Sequence, residues 1–456
     1  MNPPPLIRQH LPRWVVVAIA CVSSFMVVMD SSIVNVALPA MRADLRLSAG
    51  QQQWVVDAYL LTLGGFILLA ARAGDLYGRR LTLQTGLVLF TLSSLAGGLA
   101  TGAPALLAAR AVQGVGAAAL ATSTLSVIMA ATHGNTPARQ RALSLWAAAS
   151  SSAAALGVLI GGALTQQAGW RWVMFVNAPV GIALIVAVSV CLLPTARAGR
   201  ARLDVPGAVT VTLGVSALLY GIAHPGWPLA LGVGLIAVFL AIEACGSHPL
   251  VRLGVFRLPN VAIGNVVVAC LGAALTTSLY FVSLVLQQVV GYDALRTGLA
   301  MAPMGVAIAV AAIGSRRLIA AGVRRLPLYG GLTGAVGLAW LSRIPAGAEF
   351  TVDVLGPSLL IGIGLGFMIM SATSAATSGI PAADAGLAAG LLNMARQVGG
   401  AVGVAALAAV ADTVARGDGG GSALVAQLHG FQAALLAGAG ISAVAAVVSV
   451  LLRREG

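Results

Sequence analysis

The sequence contains no lysine: all 26 of its basic residues are arginine, set against 13 acids. Charged residues fill only 9% of the 456 positions and aromatics 5%, while 59% are hydrophobic and the mean hydropathy is +0.96. So little charge excludes an ordinary soluble domain, in which about a quarter of the residues are charged. The four cysteines, Cys21, Cys191, Cys245 and Cys270, lie in apolar stretches with no CxxC or Cys/His spacing. That argues against a metal centre or redox pair and for packing roles. The five histidines, His10, His133, His224, His248 and His429, are scattered among loops and termini. The clustered His, Asp or Glu of a membrane-embedded enzyme is therefore missing. There is no GxxxxGK[ST] phosphate loop, which speaks against ATP drive, and no polar/apolar alternation of the kind that spanning strands require.

What the chain has is apolar runs of about 20 residues, each long enough to cross ~30 Å of hydrocarbon as a helix. Six run from Val15 to Leu38, Trp54 to Ala71, Leu81 to Ala100, Ala105 to Ala130, Leu143 to Thr165 and Val173 to Leu193. Two follow, Val205 to Ala223 and Leu229 to Cys245. The last six are Val261 to Val290, Gly298 to Ile313, Leu326 to Leu341, Val354 to Thr377, Leu387 to Val410 and Phe431 to Leu452. The first follows Arg8 and Arg13 with no evident cleavage site, so it is expected to be a retained helix rather than a signal peptide.

An isoelectric point near 11 would suit a nucleic-acid binder, but the arginines stand singly or in pairs between apolar runs rather than along one polar face. If the N-terminus is cytoplasmic, eighteen fall on the cytoplasmic side and six outside, with Arg110 and Arg396 inside helices. This excess follows the positive-inside rule and places both termini in the cytoplasm. No nucleic-acid partner is expected. The loops "ARAGDLYGRRL" and "GSRRLIAAGVRRL", after the second and tenth runs, form a weak internal repeat. It predicts two six-helix bundles, 1–200 and 259–456, around a two-helix insertion at 201–258.

The motifs resemble the major facilitator superfamily, specifically its fourteen-helix drug:proton antiporter branch, over almost the whole chain. "MDSSIVNVALP" resembles that branch's first-helix motif, "ARAGDLYGRR" the superfamily's loop between helices 2 and 3 with Ala71 where Gly is usual, and "RAVQGVGAA" the fourth-helix motif. "WRWVMFVNAPVG", "LDVPG" and "LQQVVGYDALRTGLAMAP" are also similar to segments of the branch. One segment departs: the fifth-helix antiporter motif has Gly-Pro before its Gly-Gly pair, and "LGVLIGGAL" carries Val158 in the proline's place. Gly157, Gly161 and Gly162 remain. Small residues at this spacing let helix backbones approach, and the resemblance adds a hinge or seal that favours export.

Of the acids, Asp30 and Asp57 are intramembrane, with Glu243 and Asp412 nearer helix ends. A carboxylate at helix centre costs on the order of 3 kcal/mol by insertion scales, so it pairs or faces a cavity. If helix 1 ends near Pro39, Asp30 lies ~12 Å below its outer end, with Asp57 ~5 Å and Arg110 ~8 Å deep. Burial alone favours a neutral carboxyl and a fixed guanidinium favours an ionised one, so a site between these pulls can take up and release a proton. Asp30 is the expected proton site, tuned by Arg110, with Asp57 relaying protons or meeting a cationic substrate. A static buried Asp30–Arg110 pair is the structural alternative.

Gln113 shares a helix face with Arg110, whereas Asn35 is set round from Asp30 and is read as an interhelical hydrogen bond or a substrate contact. The substrate route should be apolar with few polar anchors. Its candidates are Asn35, Trp54, Tyr59, Gln113, Gln287, Gln288, Asn393 and Arg396, each equally compatible with packing or an interfacial position. In the cytoplasmic loop, the resemblance implies a gate: Gly74 and Gly78 permit a tight turn, and Asp75, beside Arg79 and Arg80, faces the positive N-terminus of helix 13.

The expected protein is an all-α polytopic transporter of a bacterial inner (plasma) membrane. It would export lipophilic drugs or toxic compounds by proton antiport and alternating access, as a monomer driven by the proton gradient with no cofactor or metal. Proton-coupled export of one endogenous metabolite or lipid is the alternative; a membrane-embedded enzyme ranks third.

Overall fold

The computed structural model describes residues 13–132, 136–193, 204–223, 226–246, 251, 253–323, 325–345, 348–376, 385–417 and 422–452. Its regular elements are helical, and each apolar run of the sequence lies on one. In the first half, α1 is Arg13–Leu45, α2 Ala49–Tyr77, α3 Arg79–Gly98, α4 Ala103–Ala131 and α5 Thr136–Gln167. α6 comes in two pieces, Arg171–Phe175 and Asn177–Cys191. The insertion supplies α7, Val205–Ala223, and α8, Trp227–Cys245. α9 is Pro259–Leu284 with a π turn at Val285–Val289, and α10 is Ala294–Ala320. α11 is Leu326–Leu341, α12 Gly356–Ala376, α13 Ala385–Gly417 and α14 Ala423–Ser449. Eleven of these are long and apolar enough to cross a membrane, and α7 and α11 are shorter apolar helices.

The helices start and stop where local chemistry directs. Ser48 caps α2 by accepting from the Gln51 N–H while Gln51 Oε1 accepts from the Ser48 N–H, a reciprocal capping box. Asp293 caps α10 through the Arg296 N–H at 2.7 Å. α6 breaks at Val176, one turn before Pro179, whose ring crowds the Phe175 carbonyl of the preceding turn.

Two expectations need correction. α1 does not end near Pro39 but carries the proline inside it and continues to Leu45, so Asp30 lies deeper beneath its outer end than Pro39 would set. And α2 runs through Gly74 to Tyr77, so the turn into α3 is made by Gly78 alone, at φ +98°, a conformation that side chains other than glycine's resist. Gly74 is an ordinary helical residue, where a Cβ would meet only the Thr82 hydroxyl, at 3.9 Å.

Within the first half, α1 packs on α5, α2 and α3 on α4, and α3 on α6; within the second, α9 packs on α13, and α12 on α10 and α11. The halves meet along α5–α10 and α2–α13. α7 rests on both α2 and α13, over the second of these seams, and α8 packs on α7. We call the α1–α2 turn the outer end, following the arginine distribution.

Candidate functional site: a buried charge cluster

Asp30 and Arg110, 80 positions apart, meet in the first half with side chains 0% and 1% exposed. Arg110 Nη1 donates to Asp30 Oδ2 at 2.6 Å, while Gln113 Nε2 and Asn177 Nδ2 each donate to Asp30 Oδ1 at 2.8 Å. The guanidinium is held from further sides: Nη1 also donates to Gln113 Oε1 at 2.7 Å, Nε donates to the Val55 carbonyl at 3.0 Å, and its carbon lies 4.3 Å from the centre of the Tyr59 ring. Tyr59 is itself fixed by donating its hydroxyl to the Val27 carbonyl. Ser94 Oγ accepts from both Gln113 and Asn177 and donates to the Met174 carbonyl. The cluster thus ties α1, α2, α3, α4 and α6 through one carboxylate.

This assigns several predicted residues. Gln113 and Tyr59, expected along a substrate route, are fully buried members of the charge cluster. Asn177 and Ser94 were not expected at all. Asp57 takes no part in these hydrogen bonds: it is buried, accepts from Gln53 Nε2 at 2.8 Å, and its Oδ1 has no hydrogen-bond partner among the described residues. Trp54 is half-buried.

At the outer seam the proline of α1 has a use. Pro39 has no N–H to offer the Asn35 carbonyl, and that carbonyl accepts instead from Ser283 Oγ of α9 at 3.0 Å. Gln287 Nε2 donates to the Val36 carbonyl at 3.1 Å and to Ser283 Oγ at 3.0 Å. The Asn35 side chain turns back to the Ser31 carbonyl of its own helix, so its interhelical bond is made by the backbone. Gln288 bonds Gln427 of α14. Ser283→Ala leaves the carbonyl of Asn35 unpaired when the halves are joined. The expected cost is about 1 kcal/mol, roughly a fivefold shift toward separated halves. In a chain stripped of its native cysteines, a cysteine at Val290 should react faster with a membrane-impermeant thiol reagent.

The glycines of α5 pack as small residues should. A Cβ on Gly157 or Gly161 would stand 3.0 Å from the Met29 carbonyl oxygen or 2.8 Å from that of Ile33, on either side of Asp30 along α1. One on Gly162 would stand 2.4 Å from the Ala294 carbonyl oxygen of α10. At the cytoplasmic loop, Arg79 donates to the Ser126 carbonyl of α4 and Arg80 to the Ser189 carbonyl of α6, so both brace α3 within the first half. The Asp75 side chain and residues 377–384 before α13 lie outside the described residues, and the expected contact between them with it. Asn393 and Arg396 are hydrogen-bonded to one another on α13.

A bundle of apolar helices in two halves, with an ion pair sealed inside one half and hydrogen-bonded seams between them, defines a membrane transporter. The family model of the Major Facilitator Superfamily matches residues 20–404. Among curated proteins, the chain is 38% identical to the cephamycin export protein of Amycolatopsis lactamdurans, over 90% of this chain and 87% of that one. It is 36% identical to a puromycin resistance protein of Streptomyces alboniger, over 96% and 91%. Among solved structures, a D-xylose–proton symporter superimposes with a TM-score of 0.70 at 14% identity, covering 97% of this chain and 98% of that one. An auto-inhibited peptide transporter of the POT family gives 0.72 at 13%, covering 98% of each. The chain belongs to the Major Facilitator Superfamily: it is a multi-pass transporter of the bacterial plasma membrane, not an enzyme.

Proposed function

We propose that this transporter exports lipophilic, drug-like molecules in exchange for protons by alternating access, as a monomer, with the proton gradient as its drive and no cofactor. The observation that carries the coupling is the sealed carboxylate of Asp30, held by three donors from α4 and α6. Protonation would remove the negative charge that the Arg110 guanidinium meets at 2.6 Å and leave a sealed cation without its counter-charge. Proton uptake at Asp30 therefore weakens what holds α1 to α4 and α6 and favours opening of the cluster. That links a proton to the rearrangement of the first half. The substrate class rests on relatives whose names are those of antibiotic export and resistance proteins.

The test is transport in proteoliposomes under an imposed pH gradient, screened over lipophilic cations and neutral antibiotics. Uphill movement of several compounds, abolished by a protonophore, is the expected result. Flux that ignores the gradient sinks the antiporter proposal. Strict preference for one compound would point to export of a single metabolite.

A further inference from the structure

The second half carries an intramembrane charge that no acid among the described residues offsets. Arg396 stands on α13, eleven residues or ~17 Å from its first residue, Ala385. Among the described residues its one side-chain hydrogen bond runs from Nη2 to Asn393 Oδ1 at 2.9 Å. It forms no ion pair among the described residues. The described acids of this half are engaged elsewhere or remote from it. Asp293 caps α10, Asp353 accepts the Glu349 N–H in the turn before α12, and Asp412 pairs with Arg416. Arg110, the fully buried arginine of the first half, spends its donors on Asp30, Gln113 and Val55. Arg396 has spent one of five.

Its place on α13 is set by the contacts to either side. Toward α2, the Gln397 Cβ and the Met394 carbonyl oxygen lie 3.1 and 3.5 Å from where a Cβ on Gly64 would stand. Toward α9, the Arg396 carbonyl oxygen lies 2.0 Å from such a position on Gly272, and Gly399 and Gly403 meet Ala269 and Ala273. At 100° per residue, Asn393 falls between these two faces, with Arg396 one turn on at the α9 edge. This is where α13 turns from its own half toward the other. Both side chains are half-buried rather than sealed.

The donor set selects the ligand. Asn393 has committed its carbonyl oxygen to Arg396, so what the pair can still offer is N–H: the remaining guanidinium donors and the Asn393 amide. A group with acceptors only, negatively charged and planar enough for the guanidinium fork, completes it. We propose that Asn393 and Arg396 form an anion-binding subsite and that the molecules this transporter carries include amphipathic carboxylates. The proposal deepens the exporter reading and rests on it, since it assumes that the seam between the halves is the substrate route. It also assigns opposite signs to the two halves, with a carboxylate able to meet a cation at Asp57 and a guanidinium able to meet an anion at Arg396.

The test is equilibrium binding to the full chain in lipid nanodiscs at neutral pH, with a dansylated fatty acid and its methyl ester as probes that differ by the charge and one methyl group. The unsubstituted protein should bind the acid about tenfold more tightly than the ester, the scale of a charge-assisted hydrogen bond in a partly dry site. Arg396→Gln should bring the acid down to the ester while leaving the ester's affinity unchanged, and Arg396→Lys should keep part of the preference. Should Arg396→Gln fail to fold, Asn393→Ala serves, and is expected to reduce the preference without abolishing it. Equal binding of acid and ester by the unsubstituted protein, or a preference that survives in Arg396→Gln, overturns the proposal. The readout uses no gradient: failure of proton-driven transport would sink the exporter reading and leave the site standing, and loss of the acid preference would do the reverse.

Discussion

Asp30→Asn is expected to destabilise the whole transporter and to abolish uphill transport, and adding Arg110→Gln should restore the first property but not the second. The asparagine can still accept from Gln113 and Asn177 through its oxygen, but its NH2 then faces the Arg110 N–H groups across what was a 2.6 Å ion pair. A buried guanidinium is left without its counter-charge, which in comparable cases costs about 3–5 kcal/mol. Replacing both partners removes the orphaned charge, and the site becomes a neutral amide network of similar volume. Buried pairs exchanged whole in this way are often neutral for stability. Thermal unfolding in detergent measures the first effect and pH-driven transport in proteoliposomes the second. Recovery of both in the double variant would make Asp30–Arg110 a static brace and would move proton coupling elsewhere, with Asp57, whose Oδ1 has no partner among the described residues, the next candidate.

The residues of this site were unequally legible in the sequence. Asp30 and Arg110 stand out because charge in an apolar run is rare and demands a partner. Gln113 followed from a three-residue spacing on one helix. Asn177 and Ser94 gave no such signal: a neutral polar residue in a membrane helix is common, and the bond from Asn177 to Asp30 spans 147 positions. For Asp57 the sequence sets a depth along the helix but not which neighbour the side chain turns toward. Pro39 misled, since proline more often ends a helix than continues inside it. α1 runs on through it, and the Ser283 hydroxyl from the other half takes the carbonyl that Pro39 leaves free. The helices themselves were legible because a stretch of about 20 apolar residues has few other fates.

The glycines of α5 divide by what they touch, so a single residue type should give two different phenotypes along one helix. Gly157 and Gly161 lie against the α1 backbone inside the first half, and valine there has nowhere to go. Overpacking of this kind typically costs about 1–3 kcal/mol, and it should appear as a lower unfolding temperature with the relation of the halves unchanged. Gly162 instead meets Ala294 and Leu295 of α10, and Gly298 of α10 meets the Val158 carbonyl in return. These are contacts between halves, made with Val158 where the branch carries proline. Gly162→Val or Gly298→Val therefore penalises only the joined arrangement, and the same 1–3 kcal/mol becomes a shift of roughly 5–150-fold toward halves parted at the outer end. Spin labels at the exposed residues Gln166 and Arg296, near the outer ends of α5 and α10, read that shift as a move of the distance distribution to longer values. Turnover should fall in parallel, because a transporter that cannot reclose its outer seam cannot complete a cycle. An unchanged distribution with lowered stability would mean that Gly162 is only another packing glycine, and that the outer seam is held by Ser283 and Gln287 alone.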